Sequence, residues 1–179
     1  MSGFRHLGDD VLHRGHVITL CRSSFQSPEG ERFDREVVRH PGAVSVVPLR
    51  DDGTVVLVRQ YRAPIDDLVL EIPAGKRDVQ DEPLEQTAER ELVEEVGLSP
   101  GRLELLARFH NSIGFCDEES FVFLGTQLSP APLDRQGIEE RHMELVEVAL
   151  ADTPAMIAAG EITDAKTVIG LSLALARLG

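Results

Sequence analysis

The stretch from Glu71 to Leu98, EIPAGKRDVQDEPLEQTAERELVEEVGL, constrains this chain more than any other. It reads as a glycine-containing turn followed by a short helix. Pro83 suits the first helical position, where its missing N–H would lack a partner anyway, and Gly97 suits the C-terminal cap, which takes a left-handed backbone. Between them Leu84, Ala88, Leu92 and Val96 recur at every fourth position, which puts them on one face and turns that face to a core. Glu91 and Glu95, also four apart, stack one turn above the other on a second face, with Glu94 at i+3 from Glu91. Like charges so placed repel by roughly a few tenths of a kcal/mol per pair. Solvent, an arginine or a divalent cation must offset them, and Arg90 can do so only in part.

Alone, a Glu-Glu pair would be a solvated helix face. Here it stands in an ordered series: Gly75, Glu82, Arg90-Glu91, an apolar residue, Glu94-Glu95, then Gly97 and another apolar residue. This series resembles the signature box of the Nudix hydrolases, and from Glu82 to Leu98 it matches at every defined position. One departure precedes the helix: six residues separate Gly75 from Glu82, where the family pattern has five. An extra loop residue is easier to absorb there than inside the helix. The resemblance, which extends from about Arg39 to Leu175, implies a Nudix-type α/β/α sandwich around a mixed β-sheet, an α/β (α+β) fold, with an N-terminal β extension. It implies domain limits of 1–40 for that extension, a dimerisation arm, and 41–179 for the hydrolase domain. Within the box it implies structural roles for Gly75, Glu82, Arg90 and Gly97, with Arg90 pairing to Glu82 and orienting the carboxylates. Glu91, Glu94 and Glu95 become catalytic residues and metal ligands, joined by the backbone carbonyl of Ala74.

Composition limits the partners. Thirty-one Asp and Glu against eighteen Lys and Arg give a formal charge of −13, so the chain should not bind nucleic-acid backbones or anionic membranes nonspecifically. A phosphate-bearing substrate would need a local positive device. No N-terminal apolar run of signal type and no bilayer-length apolar stretch occurs, which points to a cytoplasmic protein. Cys21 and Cys116 have neither metal-ligand nor disulfide-framework spacing and read as reduced, packed thiols. His6, His13, His16 and His40 are scattered without ligand spacing.

Outside the box, Val11 to Leu20 and Arg32 to His40 read as strands of an N-terminal hairpin around the turn-rich SSFQSPEGE. A chain of 179 residues can complete its core without that hairpin, which leaves it free to cover a partner subunit. AVSVVPL and TVVLVRQY, separated by Arg50-Asp51-Asp52-Gly53, read as a second hairpin. Arg59 and Arg62 end its second strand and either pair with the acidic surface or hold substrate oxygens. Leu68 to Ile72 is a further strand, running into the turn at Pro73-Ala74-Gly75, where Gly75 permits close backbone approach. Two strands, RLELLARFH and FVFLGTQL, flank the loop Asn111 to Ser120. SPAPLDRQGIEERHM, from Ser129 to Met143, reads as a mobile loop, and Glu144 to Leu150 as the next strand. At the end of the chain Asp152 caps a short helix and Asp164 a longer one, whose stripe of Val168, Leu171, Leu175 and Leu178 is core packing.

The family resemblance assigns chemistry to these parts. It implies hydrolysis of the diphosphate bond in a nucleoside diphosphate linked to another group, with Mg²⁺ or Mn²⁺, two to three ions, as cofactor. VRQYR, EIPAG, GFCDE and GEITDAKTVIGL resemble the ADP-ribose pyrophosphatase subgroup, which implies ADP-ribose as substrate, AMP and ribose 5-phosphate as products, and a homodimer whose N-terminal strands exchange. Substrate-binding candidates are Arg59, Arg62, Glu71 and Gly114; Ile113 stands where that subgroup usually has a proline. A loop glutamate would serve as general base, Glu140 ahead of Glu139, with His142 a weaker candidate. Two alternatives remain: another nucleotide sugar or an oxidised or ordinary nucleoside triphosphate as substrate, and a module that binds ADP-ribose without cleaving it. The intact Glu91, Glu94 and Glu95 favour catalysis.

Overall fold

The computed structural model describes residues 3–135 and 137–178. They form two compact units, one comprising the chain up to Gly42 together with His110–Glu119, the other Ala43–Phe109 and the chain from Ser120 onward.

In the first unit β1 (Arg5–Arg14), β2 (Thr19–Gln26) and β3 (Arg32–Arg39) pair antiparallel in the order β1-β2-β3. Two hairpins thus replace the single one expected. The segment Val11 to Leu20, read as one strand, contains a reversal that the Gly15 N–H closes on the Ile18 carbonyl at 2.8 Å. Ser23 to Gln26, read as turn, lies in β2. The serines mislead because Ser23 is fully buried, and its hydroxyl donates to Asp9 at 2.6 Å. The segment His110–Glu119 joins this unit through main-chain bonds: Val38 N–H to the Phe115 carbonyl at 2.8 Å and Asp117 N–H to the Val38 carbonyl at 3.1 Å. Arg39 adds ion pairs to Asp117 and Asp9. Asp9 is thereby held well below the usual carboxylate range, chiefly by its bond from Arg39.

The second unit contains β4 (Ala43–Pro48), β5 (Thr54–Arg62), β6 (Asp67–Glu71), β7 (Ala74–Lys76), α1 (Leu84–Val96), β8 (Leu98–His110) and β9 (Glu119–Pro130). It continues through α2 (Ile138–Arg141), β10 (Glu144–Ala149), α3 (Thr153–Ala158) and α4 (Ala165–Leu178); the end residues His110 and Glu119 are counted with the first unit. Its strands make two sheets, β10-β5-β6 and β7-β4-β9-β8. β4 and β9 run parallel, whereas β4 with β7 and β5 with both neighbours are antiparallel, so the architecture is mixed α+β. The expected hairpin between AVSVVPL and TVVLVRQY is corrected here. Its tight turn exists, with the Arg50 N–H on the Thr54 carbonyl at 2.8 Å and Gly53 at a φ of 83°, but only the single bridge Leu49 to Val55 joins the strands, which belong to different sheets. Both are apolar on both faces, so two cores cover them.

Alternation along β4, β5 and β9 sorts their side chains. Val44, Val46, Val56, Val58, Phe121 and Phe123 pack with Ala88, Leu92 and Val96 of α1; Val47, Val55, Leu57, Val122 and Leu124 pack with Leu171 and Ala174 of α4. Each fully buried side chain of this size contributes about 1.5–3 kcal/mol. α1 buries the stripe its spacing predicts, beginning at Leu84 with Pro83 just outside, and ends on Gly97 at a φ of 72°. α4 packs Val168, Leu171 and Leu175 of its expected stripe on the core, while Leu178 is exposed and Thr167, Gly170 and Ala174 are buried beside them. Small residues bring that helix close to the sheet. A Cβ on Gly170 would stand 2.9 Å from Val122, 3.0 Å from Val47 and 3.1 Å from Ile72. Gly170→Val should therefore destabilise the protein by about 1–3 kcal/mol through overpacking; an unchanged urea midpoint would contradict this close fit.

Candidate active site

Packing of α1 against the sheet carries its carboxylates to Ala74 and Gly75, which read as a turn in the sequence but lie in strand β7, paired with β4. Glu95 is 5% exposed, and its Oε2 accepts the Ala74 N–H at 3.0 Å. Glu91 lies against Gly75 so closely that a Cβ there would fall 1.8 Å from the Glu91 carboxyl carbon. Glycine is required at this position by the carboxylate rather than by backbone conformation. The residue added to the box is taken up before the helix, where Asp81 adopts a φ of 60°, a conformation aspartate tolerates.

Arg90 is the cation that the acidic face requires, and it serves four carboxylates at once. It meets Glu82 at 3.3 Å, Glu91 at 2.8 Å, Glu94 at 3.2 Å and Asp78 at 4.0 Å. Thr87 also donates to Glu82 at 2.8 Å, so Glu82 is anchored from two sides and its pKa lies below the ordinary value, chiefly through Arg90. Arg90 does not reach Glu95. Burial pushes the Glu95 carboxyl up to about 8, with the charges of Glu91 and Glu140 adding to the rise and the Ala74 N–H opposing it. Burial likewise raises Glu91, against the pull of Arg90. Two desolvated carboxylates beside the start of β7 are a donor set suited to a hard divalent cation. Among the described residues no three His, Cys, Asp or Glu side chains form a ready ligand cluster, so a cation would draw further ligands from backbone carbonyl, water or substrate oxygens.

The remaining candidates separate by position. Arg62 grips Glu71 through Nε and Nη2, both at 2.6 Å, and Glu71 is 2% exposed, so Glu71 stands behind Arg62. Arg59 lies 4.0 Å from Glu144, a loose surface pair that leaves much of its guanidinium to solvent. Gly114 belongs to the first unit, and a side chain there would meet nothing within 4 Å; Ile113 beside it is highly exposed. The segment read as a mobile loop is fastened to the end of α1: Ala131 N–H bonds the Gly97 carbonyl at 2.8 Å, Asp134 N–H the Glu94 carbonyl at 3.2 Å, and Arg135 Nε the Glu95 carbonyl at 3.0 Å. Gln136 lies outside the described residues. Of the two loop glutamates, Glu140 acts electrostatically on Glu95, and its Oε2 accepts the Gly137 N–H at 3.0 Å; Glu139 is exposed and acts on Tyr61. His142 is exposed at the end of α2.

Sequence reasoning missed Arg135 and Lys166. Arg135 bridges the Glu95 and Met143 carbonyls from a stretch of breakers that gave it no pattern. Lys166, in the motif Asp164-Ala165-Lys166-Thr167, pairs with Glu71 and lies 2.9 Å from Asp164. A lysine two residues after a helix-capping aspartate was the available signal.

Residues 39–166 match the family model described as NUDIX domain, and the chain belongs to the Nudix family. It is 38% identical over 161 residues to an ADP-ribose pyrophosphatase of Bacillus subtilis (strain 168), covering 90% of this chain and 86% of that one. It is 36% identical over 162 residues to a methanol dehydrogenase activator of Bacillus methanolicus, covering 90% and 87%. Among solved structures, a crystal structure of an ADP compounds hydrolase superposes with a TM-score of 0.84 at 22% identity over 98% of this chain and 94% of that one, a likeness of fold.

Glu95 gives a pH prediction for the metal-free protein. Its folded pKa is raised above the unfolded value, near 4.3 for glutamate, so the stability it contributes is present below that value and is lost as pH rises toward 8. Glu95→Gln has no such loss. In EDTA the variant's Tm should match wild type near pH 4.5 and exceed it increasingly toward pH 8.5, by about 2–4 °C for each kcal/mol involved. A constant difference across that range would contradict the assigned shift.

Proposed function

We propose that this chain is a divalent-metal-dependent hydrolase of the diphosphate bond in nucleoside diphosphates linked to another group, with ADP-ribose as substrate and AMP and ribose 5-phosphate as products. The observation that carries the reading is the pair of desolvated carboxylates, Glu91 and Glu95, packed on Ala74 and Gly75 at the start of β7. The choice of ADP-ribose is supported by the name of the Bacillus subtilis relative.

Glu91, Glu95 and the Ala74 carbonyl would hold Mg²⁺ or Mn²⁺, two to three ions counting those carried by substrate oxygens, with Glu94 joining or steadying them. Such ions, when bound, supply charge screening for the diphosphate and a more acidic water. The chain's own residues do the rest. Arg90 fixes the spacing of Glu82, Glu91 and Glu94, while Gly75 leaves room for the Glu91 carboxylate. Arg62 offers the diphosphate the guanidinium edge that Glu71 leaves unused, and Arg59 adds a second positive charge. Glu140 accepts a proton from the attacking water; its oxygen bonds one phosphorus as the bridging oxygen departs with the other phosphate. This base is worth about 10²–10⁴-fold in rate.

A homodimer follows from the same reading, with residues 1–40 as its arm. Its support is the first unit's sheet: β1 is exposed along its whole length, and Phe4, Leu7, Val11, Leu12, Val17 and Ile18 are exposed apolar side chains. A solvated strand with exposed apolar side chains on it and beside it is suited to a protein partner.

Product analysis with Mg²⁺ or Mn²⁺ against ADP-ribose, other nucleotide sugars and nucleoside triphosphates should show AMP released from ADP-ribose ahead of the others. Glu95→Gln should fold normally and lose nearly all turnover, and Glu140→Gln should lose about 10²–10⁴-fold. A Glu95→Gln protein retaining most of its activity would overturn the assignment of the site.

A further inference from the structure

The motif Asp164-Ala165-Lys166-Thr167 has no part in the chemistry above, yet it meets the strand that leads into the candidate site. Lys166 Nζ bonds Glu71 Oε2 and lies 2.9 Å from Asp164 Oδ2, with only 14% of its side chain exposed. Asp164 Oδ2 in turn accepts the Thr167 N–H at 3.0 Å and the Thr167 hydroxyl at 2.6 Å, the first of these capping α4. Thr167 Oγ1 accepts the Ile72 N–H at 2.9 Å. The next two residues are held elsewhere: the Pro73 carbonyl by Val46 N–H at 3.0 Å, and Ala74 N–H by Glu95 at 3.0 Å. Four consecutive residues, Glu71 to Ala74, are thus each fixed by a polar contact, two of them from the start of α4.

Charge gives Lys166 a specific task. Glu71 faces Arg62 through a two-point fork, and Asp164 stands behind Lys166, so two carboxylates and two cations form one balanced cluster. Without Lys166 that cluster holds two negative charges and one guanidinium in a largely buried place. Arg62 would then be the only cation for both carboxylates, and its positive field at the open edge would fall. In a protein of net charge −13, an edge that faces an anionic ligand cannot lose much.

We propose that Lys166 is a positioning residue for substrate recognition: by holding and neutralising Glu71, it keeps the guanidinium of Arg62 oriented and available to the diphosphate. This inference rests on the hydrolase reading above and extends it to a residue outside the signature box.

A double-mutant cycle between Lys166 and Arg62, which meet on the same oxygen of Glu71, tests it. Binding of ADP-ribose in EDTA, read by calorimetry so that no turnover intervenes, is measured for wild type, Lys166→Met, Arg62→Ala and the double variant, with kcat and KM in Mg²⁺ alongside. Lys166→Met should weaken binding and raise KM by about tenfold in the wild-type background. In the Arg62→Ala background it should change neither by more than about twofold. Thermal stability, by contrast, should fall on loss of Lys166 in both backgrounds, which separates positioning from a purely structural role. Lys166→Gln, which keeps a donor for Glu71 without the charge, carries the same comparison should the Met variant fold poorly. Equal losses of binding in the two backgrounds, or none in either, would overturn the inference while leaving the hydrolase reading intact. A wild-type protein that cleaves no nucleoside diphosphate would overturn both.

Discussion

The hydrogen bond from the Ala74 amide to the Glu95 carboxylate joins the buried side of the signature-box helix to the sheet that supports it. It exists because α1 can approach the sheet closely: Ala88 and Leu92 are fully buried on one side, and Gly75 offers no side chain on the other. Burying a carboxylate in this way is unfavourable unless something returns the lost hydration. One amide does so incompletely, which is why Glu95 remains the strained member of the acidic face while Glu82 and Glu94 rest on Arg90. The helix packing and the appetite for a cation are therefore one property seen from two sides.

Much of this was legible in the sequence because it depends on spacing within one helix. Four-residue intervals gave the buried face of α1 and the stacking of Glu91 over Glu95, and the left-handed tolerance of Gly97 gave its cap. The Arg90–Glu82 pair followed from the resemblance. Other elements needed contacts between distant segments. Ser23 looked like turn residue and proved to be buried strand, because its hydroxyl finds Asp9, fourteen positions away, as partner. The Asp-Gly turn after β4 was placed correctly, but whether its flanking strands pair with each other or with β9 and β10 depends on what those later strands offer. The buried face of α4 keeps Val168, Leu171 and Leu175 and also takes in Thr167, Gly170 and Ala174, since closeness to the sheet favours small residues there.

The acidic composition takes on meaning in the second unit. Several of its positive charges stand among carboxylates or helix-end carbonyls near the candidate site: Arg90 amid the box carboxylates, Arg62 and Lys166 about Glu71, Arg135 at the end of α1. Arg135 also stands where a cation favours the helix dipole. Net charge sets what the surface repels at long range, whereas these few residues decide what can be held at short range.

The segment from Ala131 to Met143 supplies donors to α1 that the helix cannot supply itself. A helix leaves its last carbonyls without partners; here the Gly97 amide takes Val93, Asp134 takes Glu94 and Arg135 takes Glu95. The terminal turn of the box helix is thus completed by the polypeptide that carries Glu139 and Glu140. Helix end and loop form one cooperative folding element, so the last turn of α1 can unwind only if that polypeptide lifts away, and amide exchange should slow or quicken in both together.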